Sequence, residues 1–268
     1  MLGHNGNPIR QLVVMPEPLP LSGVVIAKNE ADRIERALLS MRGVCAEVIV
    51  LDSGSDDDTV AVARAAGARV EHQQWLGFAA QKNAAMARAT QPWLLLLDAD
   101  EWLLDDAQIK LRELFASGRI EQADAWRLLR INWFLGTRLH HPEKQVRLVR
   151  AGQRYLPMKI HEAPDLAGKR VADSAIAIGH NTARTLAQHR AKLKRYAQLW
   201  AEQKFEQGKR CSAIAPWTHA IAYWLKAYAL RGAWREGRAG WQYHACRARG
   251  VIDKYRNLRA LWRAAGNA

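Results

Sequence analysis

Trp93-Leu94-Leu95-Leu96-Leu97-Asp98-Ala99-Asp100-Glu101 is the stretch that decides the fold. Its first five residues are wholly apolar, as expected of a strand covered on both faces, so it belongs in a parallel sheet flanked by helices. The run breaks abruptly into acid. In extended chain, residues two apart point the same way, so Asp98 and Asp100 are expected to project together while Ala99 faces back. Two converging carboxylates at the end of a buried strand are costly unless a cation joins them. A hard divalent ion such as Mg²⁺ or Mn²⁺, shared with phosphate oxygens, meets that need. The plainer alternative is a solvated acidic turn.

Upstream, the pattern supports the same sheet. Leu21 to Ala27, Glu47 to Leu51 and Ala68 to His72 read as strands. Between and after them, Ala31 to Met41, Asp57 to Ala66 and Phe78 to Ala89 read as helices, the first with apolar spacing at Ile34, Ala37, Leu38 and Met41. Strands alternating with helices predict an α/β fold with a mostly parallel sheet and right-handed crossovers, whose ligands bind at the carboxyl ends of the strands. Downstream the alternation stops. Ala125 to Leu135, Gln145 to Val149 and Ser174 to Ile178 read as extended segments with room for antiparallel pairing, and about 184–207, 217–231 and 240–264 as helices.

Charge divides the 268 residues unequally. Residues 1–182 hold 22 Lys+Arg and 22 Asp+Glu, a net of 22 − 22 = 0; residues 183–268 hold 18 and 4, a net of 18 − 4 = +14. The last third also holds 12 of the 21 aromatic residues, so a neutral body is expected to carry a basic, aromatic-rich region that meets an anionic surface. We expect three segments: a loose 1–20, a sheet domain over 21–182, and a helical basic region over 183–268. Apolar content of 49% excludes wholesale disorder. Three cysteines without C-x-x-C spacing exclude a disulfide scaffold and a thiolate zinc site, and fit a reducing compartment. Leu12 to Met15 is too short for a secretory leader, and no apolar stretch reaches the roughly 20 residues that span a bilayer.

Other polar motifs fall at the predicted strand ends. Asp52-Ser53-Gly54-Ser55-Asp56-Asp57-Asp58-Thr59 follows the second strand; Asp52 could accept hydrogen bonds from a base or ribose, or simply organise a strand-to-helix turn. Lys28-Asn29-Glu30 follows the first strand and reads equally as a ligand-facing group or a helix cap with Asn29 capping. Lys82, in Gln81-Lys82-Asn83 near a helix start, could meet a phosphate, and His161-Glu162 is a lone acid–imidazole pair.

Taken in order, Val24-Val25-Ile26-Ala27-Lys28-Asn29-Glu30, Leu51 to Thr59, Gln81-Lys82-Asn83 and Leu94 to Glu101 resemble the family 2 glycosyltransferases of GT-A (Rossmann-like) fold, over about residues 21–182. Within that family the chain is similar to the lipopolysaccharide core β-glucosyltransferase group, through His161-Glu162 and the basic stretch Leu225 to Gly232. That group carries Asp-Gly where this chain has Glu236-Gly237. The resemblance implies that Asp52 and Glu30 line the nucleotide pocket, and that Lys82 lies near the diphosphate. It also implies that Asp98 and Asp100 form a D-x-D pair with Asp100 as metal ligand, that Glu162 is the general base, and that His161 is a further metal or phosphate contact.

It further implies a divalent metal cofactor (Mg²⁺ or Mn²⁺), a nucleotide-diphosphate sugar donor (a UDP-sugar, with glucose as the sugar) and a lipid-linked glycan acceptor such as the lipopolysaccharide inner core. The enzyme would be peripheral on the inner, cytoplasmic face of the membrane. The close alternative is a polyprenyl-phosphate or other cell-envelope glycosyltransferase. A nucleic-acid-binding protein would also use basic residues interleaved with aromatics, but it leaves the acidic strand ends unexplained, so no nucleic acid is expected. A nucleotidyltransferase would need a Gly-rich basic loop near the N-terminus, and a glycoside hydrolase would need no nucleotide. The apolar run Ala213 to Leu225, broken by Pro216, Thr218 and His219, fits either an interfacial helix or the core of a helical subdomain.

Overall fold

The computed structural model describes residues 17–156 and 164–266. His161 and Glu162 lie outside the described residues, as does most of the expected loose segment 1–20. Nine strands form one mixed sheet: β1 (Leu19–Ala27), β2 (Cys45–Asp52), β3 (Arg69–His72), β4 (Trp93–Leu96), β5 (Glu101–Leu103), β6 (Ala125–Phe134), β7 (Thr137–Arg138), β8 (Glu143–Arg150) and β9 (Val171–Asn181). The helices are α1 (Ile34–Met41), α2 (Thr59–Ala65), α3 (Phe78–Met86), α4 (Ala107–Ala116), α5 (Leu186–Glu206), α6 (Ala215–Leu225) and α7 (Gly237–Ala264). Strand order is β3-β2-β1-β4-β8-β6-β9-β5, with β7 on β6.

The first four strands in that order pair in parallel, as the alternating pattern predicts. The second half is mixed: β8 is antiparallel to β4 and β6, β9 is parallel to β6, and β5 is antiparallel to β9. In β4, Trp93 and Leu95 enter the core under α1 and α4, while Leu94 and Leu96 enter the opposite core against α3 and Tyr155. Both faces are covered, which is why the run is unbroken by polar residues.

The strand order requires curvature. β5 follows β4 almost at once in the chain, yet it lies four positions away in the sheet. In a flat sheet that is roughly 19 Å. The intervening chain is a tight turn closed by Glu101 N–H donating to the Asp98 carbonyl at 2.9 Å, far too short for that span. The sheet therefore curls, and the turn that straps it holds Asp98 and Asp100. This differs in detail from the extended geometry expected there: the strand stops at Leu96, and Ala99 is buried. Gly179, paired with Trp102 across β9 and β5, lets the indole lie on the backbone; a Cβ there would come 2.2 Å from the ring.

At the first strand end, Asn29 does not cap α1, which begins at Ile34 with Arg33 before it. Asn29 instead adopts φ +57° and ties two loops together, its amide donating to Ser55 Oγ at 2.9 Å and its Oδ1 accepting from Asp56 N–H at 3.0 Å. The C-terminal helices pack on one another through Ala197 and Ala201 of α5 and Ala248 and Leu258 of α7. Trp200 against Tyr255 and Phe205 against Trp262 extend this contact. The pair is fixed to the sheet by Tyr243 against Phe134, and by Glu236, whose carboxylate accepts from His140 N–H and pairs with His244 at 2.9 Å.

Candidate functional site

A cleft of about 940 Å³ opens where β1, β2 and β4 end, and α5 and α7 form its other wall. Glu30, Asp98 and Asp100 all line it, so the structure gathers three of the residues singled out in the sequence. Asp52 lies just beneath, with neighbouring Ser53 in the lining. Its carboxylate organises the β2–α2 turn, accepting from Gly54 N–H at 2.9 Å, Ser55 N–H at 3.0 Å and the Ser55 hydroxyl at 2.5 Å. Gly54, at φ +85°, permits the backbone to fold back onto it. Glu30 is held by Arg33 and by Arg184, the latter at 2.9 Å.

The two aspartates are treated differently. Asp98 accepts from Arg147 at 2.7 Å and lies 3.1 Å from Lys82 Nζ. Burial opposes its ionisation, but Arg147 and Lys82 overcome it and hold the carboxyl well below the usual carboxylate range. Lys82 sits on the second turn of α3, its ammonium 5.2 Å from the Tyr155 ring centroid. The cation that two converging carboxylates require is thus supplied, for Asp98, by the protein itself.

Asp100 has only longer contacts, Arg33 at 3.5 Å and His180 Nε2 at 3.6 Å. Burial raises its pKa, and His180 with Arg33 brings it below the usual value. His180 Nδ1 lies 2.7 Å from Asn132 Oδ1, an acceptor, so Nδ1 carries the proton and Nε2 faces Asp100. Protonated, that nitrogen makes an ion pair; neutral, it sets a lone pair beside a carboxylate, the donor set a divalent ion takes. Among the described residues no group of three or more His, Cys, Asp or Glu surrounds a common point, so an ion here would complete its shell with ligand oxygens and water.

Several site residues escaped the sequence reading. Glu101 is fully buried and takes Arg147 at 2.6 Å and Arg130 at 3.4 Å. Its signal was its place in Asp98-Ala99-Asp100-Glu101, but its partners lie on β8 and β6, beyond any local pattern. His180 had no local signal. Trp75 and Phe78, both exposed and edge-to-face at 4.8 Å, line the cleft and offer an aromatic platform.

The glycosyl transferase family 2 model matches residues 22–167. The chain is 30% identical over 265 residues to the lipopolysaccharide core biosynthesis glycosyltransferase LpsC of Rhizobium meliloti, covering 88% of this chain and 97% of that protein. It is 31% identical over 225 residues to an uncharacterized glycosyltransferase of Rickettsia typhi, covering 79% and 77% respectively. Among solved structures, the mannosyltransferase PcManGT of Pyrobaculum calidifontis, crystallised with GDP-Man and Mn²⁺, superposes with a TM-score of 0.54 at 16% identity. That match covers 95% of this chain and 89% of that one, and it is a likeness of fold.

Proposed function

The chain belongs to glycosyl transferase family 2, and from that premise we propose that it is an inverting, metal-dependent hexosyltransferase. It moves a sugar, glucose, from a nucleotide-diphosphate donor, a UDP-sugar, to a hydroxyl of a lipid-linked glycan such as the lipopolysaccharide inner core. The observation that carries this reading is the cleft at the strand ends, where Asp100 is held only by the longer contacts to Arg33 and His180, beside an Asp98 already neutralised by Arg147 and Lys82. Similarity to LpsC supports the choice of acceptor.

In this reading Trp75 and Phe78 offer aromatic surface to the base, and Glu30 and Asp52 shape the pocket for base and ribose. Lys82 and Arg33 set positive charge beside the donor's phosphates. Asp100, with His180 beside it, would hold a divalent ion, which would supply Lewis-acid neutralisation of charge on the departing diphosphate. Glu162 takes the proton of the acceptor hydroxyl as that oxygen attacks the anomeric carbon opposite the leaving group, so a single displacement inverts the centre. His161, the neighbouring residue, remains a proposed metal or phosphate contact.

The acceptor's lipid end accounts for the surface of α6. Ile214, Trp217, Ile221 and Leu225 recur at helical spacing and are all exposed, as are Leu230, Trp234 and Trp241 further along the chain. Lys226, Arg231, Arg235 and Arg238 accompany it. Among the described residues no helix is long and apolar enough to cross a membrane. Apolar side chains flanked by cations suit the headgroup zone of an anionic leaflet, so we read this face as a peripheral membrane contact on the cytoplasmic side.

The decisive experiment is calorimetric titration of the full chain with UDP-, GDP-, CMP- and dTDP-sugars, with and without Mn²⁺. One nucleotide class should bind saturably, and more tightly with Mn²⁺. Absence of binding by all four would overturn the reading.

A further inference from the structure

The two walls of the cleft carry charge of different kinds. On the sheet side Lys82 and Arg147 are committed to Asp98, Arg33 to Glu30 and Asp100, and Arg184 to Glu30 and Asp32, while Lys28 of that wall has no ion pair among the described residues. On the helical side, Lys192 of α5 and Arg247 and Lys254 of α7 line the same cleft, and no carboxylate among the described residues lies within 4.0 Å of any of them. Glu143, the acid whose field reaches Arg247, is already paired with Arg130. The Arg247 guanidinium stands 5.9 Å from the Tyr243 ring centroid and beside the Tyr223 hydroxyl, and the Lys254 ammonium stands 5.7 Å from the Trp200 ring centroid.

A second observation falls at the same wall. His189 is only 4% exposed, yet neither ring nitrogen has a hydrogen-bond partner among the described residues. It is stacked on Tyr243 at 5.2 Å and lines the cleft. A buried imidazole always carries at least one N–H, and leaving that donor unmet costs on the order of 1–3 kcal/mol. Burial, with Arg247 and Lys192 nearby, keeps the ring neutral. Three cations lining one cleft with no carboxylate partner among the described residues have the composition of an oxyanion site, and the neutral ring behind them adds no competing negative charge.

We infer that the α5–α7 wall is an oxyanion subsite, where a phosphate or carboxylate carried by the acceptor glycan docks against Lys192, Arg247 and Lys254. The inference rests on the glycosyltransferase reading and narrows it: the acceptor is a charged sugar, selected by its anionic substituent.

The test titrates the full chain, saturated with UDP and Mn²⁺, with mannose 6-phosphate, glucuronate and neutral mannose. At least one charged sugar should bind about 10-fold more tightly than mannose, and which one does so separates phosphate from carboxylate. The K192Q/K254Q variant, checked for an unchanged melt, should lose that preference while keeping its UDP affinity within about twofold. Three results overturn the inference: charged sugars bind no better than mannose, the variant keeps the preference, or the variant instead loses UDP, which would assign the lysines to the donor's phosphates. If no nucleotide binds the wild-type chain, the parent reading fails, and the same sugar titrations without nucleotide still report on the subsite.

Discussion

The Arg147 guanidinium lies 2.6 Å from the carboxylate of Glu101, a residue with no solvent exposure at all. The same Nη2 reaches Asp98 at 2.7 Å, so one buried cation serves both the inner anchor of the β4–β5 turn and the acidic residue at the cleft. Removing it leaves the buried Glu101, among the described residues, with only the longer ion pair to Arg130 at 3.4 Å. Arg147→Met is expected to lower unfolding free energy by about 3–5 kcal/mol, because breaking a buried pair leaves its partner uncompensated. Urea denaturation checks this, and adding Glu101→Gln should recover part of the loss. A single variant with wild-type stability would contradict the pairing.

Catalysis should depend on Asp100 more than stability does. Its contacts to Arg33 and His180 are long, so Asp100→Asn should leave the melting temperature nearly unchanged while lowering turnover by ~10²-fold or more. Glu162→Gln should cost about 10²–10⁴ in rate, with the acidic limb of the pH–rate profile removed. Initial rates with the donor identified by titration measure both. A Glu162→Gln enzyme with an intact profile assigns the base elsewhere.

His189 makes stability depend on pH in a defined window. Burial lowers its pKa from 6.5 to about 4, with Arg247 and Lys192 adding to the effect. The unfolded chain takes up this proton below about 6.5 and the folded chain does not, so the stability tied to the neutral ring is fully present above that pH. It falls as pH drops toward 4, by about 3 kcal/mol over the window. Asp98 and Asp100, whose pKa values are lowered, act only at more acid pH. His189→Phe should flatten the decline between pH 6.5 and 4 in denaturant titrations; an unchanged slope would exclude His189 as its source.

The α6 face yields a separate prediction. Replacing Trp217 and Ile221 together with Glu puts two charges on an already exposed surface, so folding should be unaffected. Flotation with anionic vesicles at low salt should fall to background, while donor binding persists. Vesicle binding that survives the double substitution would move the membrane contact off this helix.

Much of the first half of the fold was legible in the sequence, because each element there writes its own period. Ile34, Ala37, Leu38 and Met41 turn inward on α1 as their spacing requires, and the leucines of β4 divide between two cores. The short elements β5, α4 and β7 went unread. β5 has only three residues, too few to show a period, and it exists because β9 supplies its hydrogen bonds. In the tail, the sequence left membrane contact and internal packing open for all the aromatics at once. The structure divides them: Trp200 and Trp262 pack between α5 and α7, while Trp217, Trp234 and Trp241 face outward.

The sequence alone determined where the parallel strands lie, that their ends are acidic, and that net positive charge gathers in the last third. Those are local properties, carried by side-chain periodicity and composition. Tertiary structure decided how the acids are used. The pairing of β8 with β4 brings Arg147 to Asp98, and the curl of the sheet brings Glu101 to Arg147 and His180 to Asp100. Likewise, only the packing of α5 on α7 sets His189, Lys192, Arg247 and Lys254 along one cleft. Such meetings join residues tens of positions apart, and long-range pairing leaves no periodic trace in the chain.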